Sequence, residues 1–208
     1  EKLTPYLTDA TPAVRTAAFQ ALTELAEKKQ LPALFAAVCK ATDAKEKLAA
    51  EKALSAISRK HPEAAVDAIS PLFATADAER RLILLHALGL AGTPTALPLI
   101  KASVKDPDSD VADEAVRVLA NWKETPAADA LLEQAKSHPK NGLRVIALRG
   151  FIRLIEKEPD MAVRATLLKE AGTLATRNEE KVLITTAWRT VPSPETVTLL
   201  KQQLANKA

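Results

Sequence analysis

The sequence predicts an all-α, right-handed α-solenoid of about six stacked helical hairpins. Six helical segments end on a large apolar residue, and consecutive ends lie 32, 34, 31, 32 and 37 residues apart. This spacing is typical of stacked helical-hairpin repeats. Apolar residues make up 47% of the chain but aromatic residues only 3%, so alanine and leucine, both strong helix formers, supply the core. Only 5 glycines occur in 208 residues, too few for the tight turns of a β-sandwich or barrel.

Within the six segments, columns of residues recur in register. The segments end at the anchor residues Leu22, Leu54, Leu88, Leu119, Phe151 and Trp188. Four positions earlier stand Ala18, Ala50, Leu84, Ala115, Ala147 and Ile184. Each hairpin is too small to bury its own apolar face, so these mostly small side chains predict the surface on which neighbours stack. We call these six segments the repeat helices and the helices between them the partner helices.

The helix boundaries can be predicted from capping residues. Each repeat helix is preceded by Asp, Asn or Thr, whose side-chain oxygen accepts a hydrogen bond from the open first turn. The expected caps are Asp9 or Thr11, then Asp43, Asp77, Asp110, Asn141 and Asn178. The partner helices, several of which begin at proline, are expected over residues 31–41, 62–74, 94–104, 126–137, 160–175 and 194–205, with a partial one over residues 2–7.

The unbroken repeat favours a single domain over residues 1–208, with a half-repeat at each end. We expect this segment to be excised from a longer chain. Apolar residues of the half-repeats are then expected to contact further chain: Leu3, Tyr6 and Leu7 at one end, and Val197, Leu199, Leu200 and Leu204 at the other. No apolar run approaches the roughly 20 residues of a membrane helix, and Cys39, the single cysteine, is expected to be a small buried side chain.

The stretch from Asp9 to Leu22 resembles the second helix of a HEAT repeat, with a turn aspartate, a Val-Arg pair and spaced alanines. Residues 113–119 and 143–151 resemble weaker copies. The resemblance implies an inter-repeat ladder of turn aspartates and helix arginines, which Asp9 with Arg15, Asp43 with Lys47 and Asp77 with Arg81 fit. Ala112 interrupts the basic column, and Asn141 and Asn178 replace the acids, so we expect the ladder only in the N-terminal half.

Residues 111–135 and 143–155 also resemble HEAT segments of large bacterial proteins, in which the repeats sit beside a domain of the keto-disaccharide hydrolase type. That resemblance implies an accessory domain of a bacterial carbohydrate-processing enzyme. The compartment stays open: periplasmic or exported if this resemblance holds, and cytoplasmic otherwise.

If the repeat helices line the concave face, as in HEAT proteins, a polar column on them is the natural binding surface. Two positions before each anchor stand Gln20, Lys52, His86, Arg117, Arg149 and Thr186, all polar and none acidic. The column is explained either by the need for a solvated face or by binding of a protein or peptide partner, or of other domains of the same polypeptide.

Two further candidates for partner contact lie outside this column. Arg153 follows Arg149 by four residues, and like charges at this spacing repel unless an anion lies opposite. That anion is either a partner or an internal acid such as Glu156 or Glu158. Trp122 follows an anchor by three residues and is expected to be either half-exposed or core.

Nucleic acid is the less favoured ligand. The net charge is only +3, and residues 61–140 carry 8 basic against 12 acidic side chains, whereas phosphate binding needs a dense basic footprint. Catalysis is less favoured still. Of the 3 histidines, His61 and His138 precede proline in turns, and no metal-binding spacing occurs. We therefore expect a non-catalytic protein-interaction or scaffold module without cofactor or metal.

Overall fold

A computed structural model of the chain describes residues 2–25, 27–41, 43–191, 197 and 201. These residues form helices and no β-strand, which confirms the all-α solenoid class. The α-helices are α1 (Pro12–Leu25), α2 (Leu31–Val38), α3 (Ala44–Lys60), α4 (Pro62–Phe73), α5 (Ala78–Ala91), α6 (Leu97–Ser103), α7 (Ser109–Ala120), α8 (Ala128–Ser137), α9 (Asn141–Ile155), α10 (Met161–Leu174) and α11 (Asn178–Trp188). Short 3₁₀ helices span Thr4–Thr8, Lys28–Gln30 and Thr125–Ala127.

The helices fall into two compact units, Glu1–Val118 and Leu119–Ala208. In the first unit the repeat helices α1, α3 and α5 pack side by side, and the partner helices α2 and α4 form a second layer. In the second unit the repeat helices α9 and α11 pack on each other, and the partner helices α8 and α10 pack against them. Each unit is therefore built of two helical layers, as stacked hairpins require. The expectation of one domain over the whole chain stays a prediction.

The columns that predicted the stack form the core. All six anchors are at most 5% exposed, and the residues four positions earlier are at most 4% exposed. Gly150, one position before its anchor, lies against Ala120, so close that a Cβ there would come within 2.7 Å of the Ala120 Cα. Trp188 is 5% exposed, in agreement with its anchor position.

Some predicted partner helices have different bounds in the structure. The first ends at Val38 rather than at residue 41, and the third begins at Leu97, because residues 94–96 form a turn. The fourth is preceded by a 3₁₀ turn, Thr125–Ala127, and the partial helix at the start is a 3₁₀ helix. The helix expected over residues 194–205, with Leu199, Leu200 and Leu204, lies largely outside the described residues.

Three of the predicted caps are wrong. Asp108, not Asp110, caps α7, since its carboxylate accepts hydrogen bonds from the backbone N–H groups of Asp110 and Val111. Asn141 and Asn178 are the first residues of α9 and α11 rather than their N-caps. Asp43 and Asp77 do cap α3 and α5.

The inter-repeat ladder exists, but its acids are not the predicted turn aspartates Asp9, Asp43 and Asp77. Arg15 donates two hydrogen bonds of 2.7 and 2.8 Å to Glu46 in the next repeat helix; from Asp9 it contacts only the backbone carbonyl. Through this hydrogen bond the Glu46 carboxylate raises the pKa of the Arg15 guanidinium. The pairings of turn aspartates with basic residues were thus mistaken, because Asp43 and Asp77 use their carboxylates as helix caps.

The same arrangement recurs along the chain. Lys47 pairs with Glu79 at 2.6 Å, and Arg81 pairs with Asp106 at 2.9 Å. In the second unit Arg144 donates to the Leu174 carbonyl and the Thr176 hydroxyl, and lies 3.9 Å from Glu180. The inter-repeat ladder therefore continues past Ala112, contrary to the expectation that it would be confined to the N-terminal half.

Candidate functional site

The polar column predicted on the repeat helices is solvent-exposed. Gln20, Lys52, His86, Arg117, Arg149 and Thr186 all lie on the surface. Their exposure follows from the burial of the anchors two positions later, since an offset of two residues turns a side chain about 200° around a helix. Both explanations of the column, a solvated face and a binding face, need this exposure.

Three residues of the column line two adjoining clefts in the first unit. The larger cleft, about 650 Å³, lies between α3 and α5 and includes Lys52 and His86 in its lining. The smaller cleft, about 410 Å³, lies between α1 and α3 and includes Gln20 and Lys52. Lys52 thus belongs to both clefts. We call this pair the α3 clefts; they bring Gln20, Lys52 and His86 onto one surface.

An exposed leucine joins the α3 clefts, and the sequence analysis missed it. Leu48 lines both clefts and is 55% exposed, while the half-buried side chains of Leu82 and Ile83 on α5 line the larger one. The sequence contains a signal for it: Leu48 lies four residues before Lys52, on the same helix face, whereas the next two residues, Ala49 and Ala50, enter the core.

Charged side chains edge the apolar part of the larger cleft. Glu51 and Arg59 on α3 are exposed, and Glu114 on α7 is half-buried. The Glu114 carboxylate lies 3.4 Å from the guanidinium of Arg117, a further residue of the polar column. An apolar patch with a charged rim is the arrangement on which protein partners bind, because the centre is desolvated and the rim stays hydrated.

In the second unit, the proposed contact residues Arg149, Arg153 and Trp122 behave differently from one another. Arg149 is exposed. Arg153 is half-buried and donates hydrogen bonds of 2.8 and 2.6 Å to the carbonyls of Ala120 and Trp122, so its guanidinium contacts the fold itself; its role in partner contact stays a prediction. Trp122 is only 3% exposed, which corrects the expectation of a half-exposed contact. Its ring is part of the core.

The described residues contain no group of three or more His, Cys, Asp or Glu side chains that could hold a metal ion. Burial raises the pKa of the half-buried Cys39 thiol, and Asp77 adds to this effect while Arg80 opposes it. The thiolate, the nucleophilic form, is therefore disfavoured at neutral pH. No helix in the described part of the chain is long and apolar enough to cross a membrane.

Comparison with known proteins establishes the family. A family model described as HEAT repeats matches residues 66–151, and a second, described as HEAT repeat, matches residues 1–28. Together the two matches span more than half of the chain. The chain is a HEAT-repeat protein. HEAT repeats are commonly protein-interaction scaffolds and are generally non-catalytic.

Its fold also resembles that of a solved structure. The crystal structure of an engineered protein is similar over 91% of this HEAT-repeat chain and 95% of its own, with a TM-score of 0.53 and 19% sequence identity. At this identity the likeness concerns the fold alone. A search of curated protein sequences finds no significant match. The neighbouring keto-disaccharide hydrolase domain and the association with carbohydrate processing stay predictions.

Proposed function

We propose that this HEAT-repeat protein is a non-catalytic interaction module that binds a peptide segment of a partner protein in the α3 clefts. The observation that carries the proposal is the 55% exposure of Leu48, an apolar side chain that lines both clefts. A leucine of this exposure costs free energy in water, and burial of its exposed half against a partner would recover about 1–1.5 kcal/mol.

The surroundings of Leu48 support a peptide ligand. Leu82 and Ile83 extend the apolar surface from α3 to α5, and Gln20 and His86 place hydrogen-bonding groups on either side of α3. A volume of about 650 Å³ accommodates one or two large side chains, and the adjoining smaller cleft continues the surface toward α1. Burial of an apolar residue supplies binding free energy, and the polar groups around it fix the position of the bound peptide.

A selection from a displayed random-peptide library tests the proposal, with the full 208-residue chain as bait. The dissociation constants of the selected peptides are then measured by fluorescence anisotropy against the chain and against Leu48→Asp. Since an aspartate in the clefts would have to be desolvated, we expect Leu48→Asp to weaken binding at least about tenfold. Met161→Asp is the matched control, because Met161 is 48% exposed and lies on α10, away from the clefts.

With Met161→Asp the dissociation constants should stay within about twofold of those of the unmodified chain. A library that yields no binder, or binders that Leu48→Asp leaves unaffected, would refute the assignment of the α3 clefts as the binding site. Circular dichroism of both variants checks that the helical content is unchanged.

A further inference from the structure

Helix α3 carries a regular row of basic side chains along the α3 clefts. Lys45, Lys52 and Arg59 are exposed and follow one another at intervals of seven residues. Seven residues are two turns of an α-helix, so the three side chains share one face and their Cα atoms lie about 10 Å apart in succession. Lys45 lines the smaller cleft, Arg59 the larger, and Lys52 both. We call these three residues the α3 basic row.

The α3 basic row differs from other basic side chains near it in having no internal partner. Within residues 2–25, 27–41 and 43–191, none of the three makes a side-chain hydrogen bond or an ion pair. By contrast, Lys47 on the same helix pairs with Glu79, and Arg81 pairs with Asp106. The charges of the row are therefore available to an external anion, and they lie beside the exposed apolar surface.

Two further residues lie between the members of the α3 basic row, at the spacing that a helix of another protein would contact. Leu48 lies between Lys45 and Lys52, and Ser55 lies between Lys52 and Arg59, which reproduces the three- and four-residue spacing of a coiled-coil seam. Both Leu48 and Ser55 line the larger cleft. The seam thus has a basic residue at each a-type position and one large apolar residue at a d-type position.

Three acidic side chains also line the α3 clefts but lie off the seam. Glu24 is on α1, and Glu114, already close to Arg117, is on α7. Glu51 lies on α3 next to Lys52, but an offset of one residue turns it about 100° away from the row. A ligand helix that follows the row therefore meets the basic residues directly and the acids only at its sides.

From this arrangement we infer that the ligand of the α3 clefts is an acidic amphipathic helical segment of a partner protein, with carboxylates at seven-residue intervals and a bulky apolar residue between them. The inference rests on the proposed function, since it assigns a chemistry to the ligand of that same site. The carboxylates pair with the α3 basic row, and the apolar residue packs against Leu48, Leu82 and Ile83. Carboxylates of the ligand would be attracted to the row, because its three cations form no ion pair within the described residues.

The test uses a synthetic alanine-based helical peptide that carries three glutamates at seven-residue intervals, with a leucine between each pair. Binding to the full chain is measured by fluorescence anisotropy, in parallel with a peptide in which glutamine replaces every glutamate. We expect the acidic peptide to bind at least about tenfold more tightly than the glutamine peptide, and the difference to shrink as salt concentration rises.

The protein variants locate the contact. The triple variant Lys45→Glu, Lys52→Glu, Arg59→Glu should weaken binding of the acidic peptide by about tenfold to a hundredfold. The matched control, Lys28→Glu, Lys123→Glu, Lys169→Glu, makes the same change in net charge at exposed positions outside the clefts. It should change the dissociation constant less than about threefold.

Several results would refute the acidic helical ligand, and they differ in whether the proposed function also fails. Equal binding of the acidic and glutamine peptides, or equal effects of the two triple variants, would refute the acidic ligand. If library peptides that need Leu48 are not enriched in acidic residues, this inference fails while the proposed function stands. A duplex DNA probe is measured alongside; DNA binding that depends on the α3 basic row, with no binding of the acidic peptide, would assign the row to nucleic acid instead.

Discussion

The two units join their repeats through basic side chains but with different hydrogen-bonding partners. In the first unit, Arg15, Lys47 and Arg81 each reach a carboxylate on the following repeat. In the second unit, Arg144 donates to the Leu174 carbonyl and to the side chains of Asn141 and Thr176, and Arg153 donates to two backbone carbonyls. The Glu180 carboxylate lies 3.9 Å from Arg144 and accepts its hydrogen bonds from the backbone N–H groups of residues 176 and 177 instead.

This difference shows why the arginines of the C-terminal third do not all form a binding site. A guanidinium has five N–H donors in a fixed planar fork, so it can satisfy several carbonyls at the end of a neighbouring helix without any acid. Arg153 does so, and its charge is used inside the fold. The three basic residues of the α3 basic row have no such use, and their availability follows from their exposure on the repeat-helix face.

The largest effect should come from removing Arg81 of the first unit, with removal of Arg153 of the second unit as the comparison. Arg81→Met leaves the Asp106 carboxylate, whose side chain is only 9% exposed, without its cation, at a cost of about 2–4 kcal/mol in the free energy of unfolding. Arg153→Met leaves two carbonyls without a donor and should cost about 1 kcal/mol. Urea unfolding followed by circular dichroism measures both. Equal losses would mean that the carboxylate pairs of the first unit are no stronger than the carbonyl contacts of the second.

A smaller effect should distinguish two close helix contacts, one in each unit. A Cβ at Gly150 would lie 2.7 Å from the Cα and 2.9 Å from the carbonyl oxygen of Ala120, both backbone atoms that cannot rotate away. Gly150→Ala should therefore destabilise the protein by about 1–2 kcal/mol, despite the better helix propensity of alanine.

Gly89→Ala is the counterpart in the first unit. There the nearest atom is a side-chain methyl of Val118, at 2.8 Å, and a shift of that side chain together with the gain in helix propensity should hold the loss to about 0.5 kcal/mol. The same urea experiment compares the two. A loss for Gly89→Ala as large as that for Gly150→Ala would show that the valine side chain is as rigid a neighbour as a backbone.

A further effect concerns the buried acid of the second unit and depends on pH. Burial raises the pKa of Glu180, but the backbone hydrogen bonds from Arg177 and Thr176, with the charges of Arg144 and Arg177, outweigh burial and hold the pKa below its usual range. Because the folded pKa is lower than the unfolded value of about 4.3, the ionised carboxylate stabilises the fold above about pH 5. This contribution is lost as the pH falls through the folded pKa.

Glu180→Gln should therefore cost about 1 kcal/mol at pH 7, and the gap to the unmodified protein should close in acid, as the pH falls through the lowered pKa of Glu180 in the folded protein. Glu179→Gln is the control, since Glu179 is the exposed neighbour and should leave the free energy of unfolding unchanged at both pH values. A gap that persists in acid would mean that shape, not charge, is what the site requires.

Much of the fold could be predicted from the sequence because its determinants are local and periodic. The anchors and the small-residue column identified the buried faces, and Asp43 and Asp77 identified the starts of α3 and α5. Errors arose where several polar residues compete for one role. Asp108 and Asp110 are equally good capping residues in sequence, and only the path of the turn decides which carboxylate reaches the open N–H groups.

The candidate site could be predicted only in part. The exposure of Gln20, Lys52 and His86 follows from their offset from the anchors. The exposure of Leu48 was not predicted, because an apolar residue on an amphipathic helix is normally assigned to the core. Trp122 presented the reverse problem, since its position after an anchor did not indicate whether the chain would turn inward.

The sequence by itself determined the repeat, the helical layers and the faces that are buried, because burial of apolar side chains is non-directional and follows the helical period. Only the tertiary structure decided which polar groups pair. A hydrogen bond or an ion pair depends on distances of a few ångströms between residues about thirty positions apart, and the sequence does not specify these. Basic residues of the helices thus form carboxylate pairs in one unit, contacts with carbonyls and a hydroxyl in the other, and along α3 an unpaired row beside an exposed leucine.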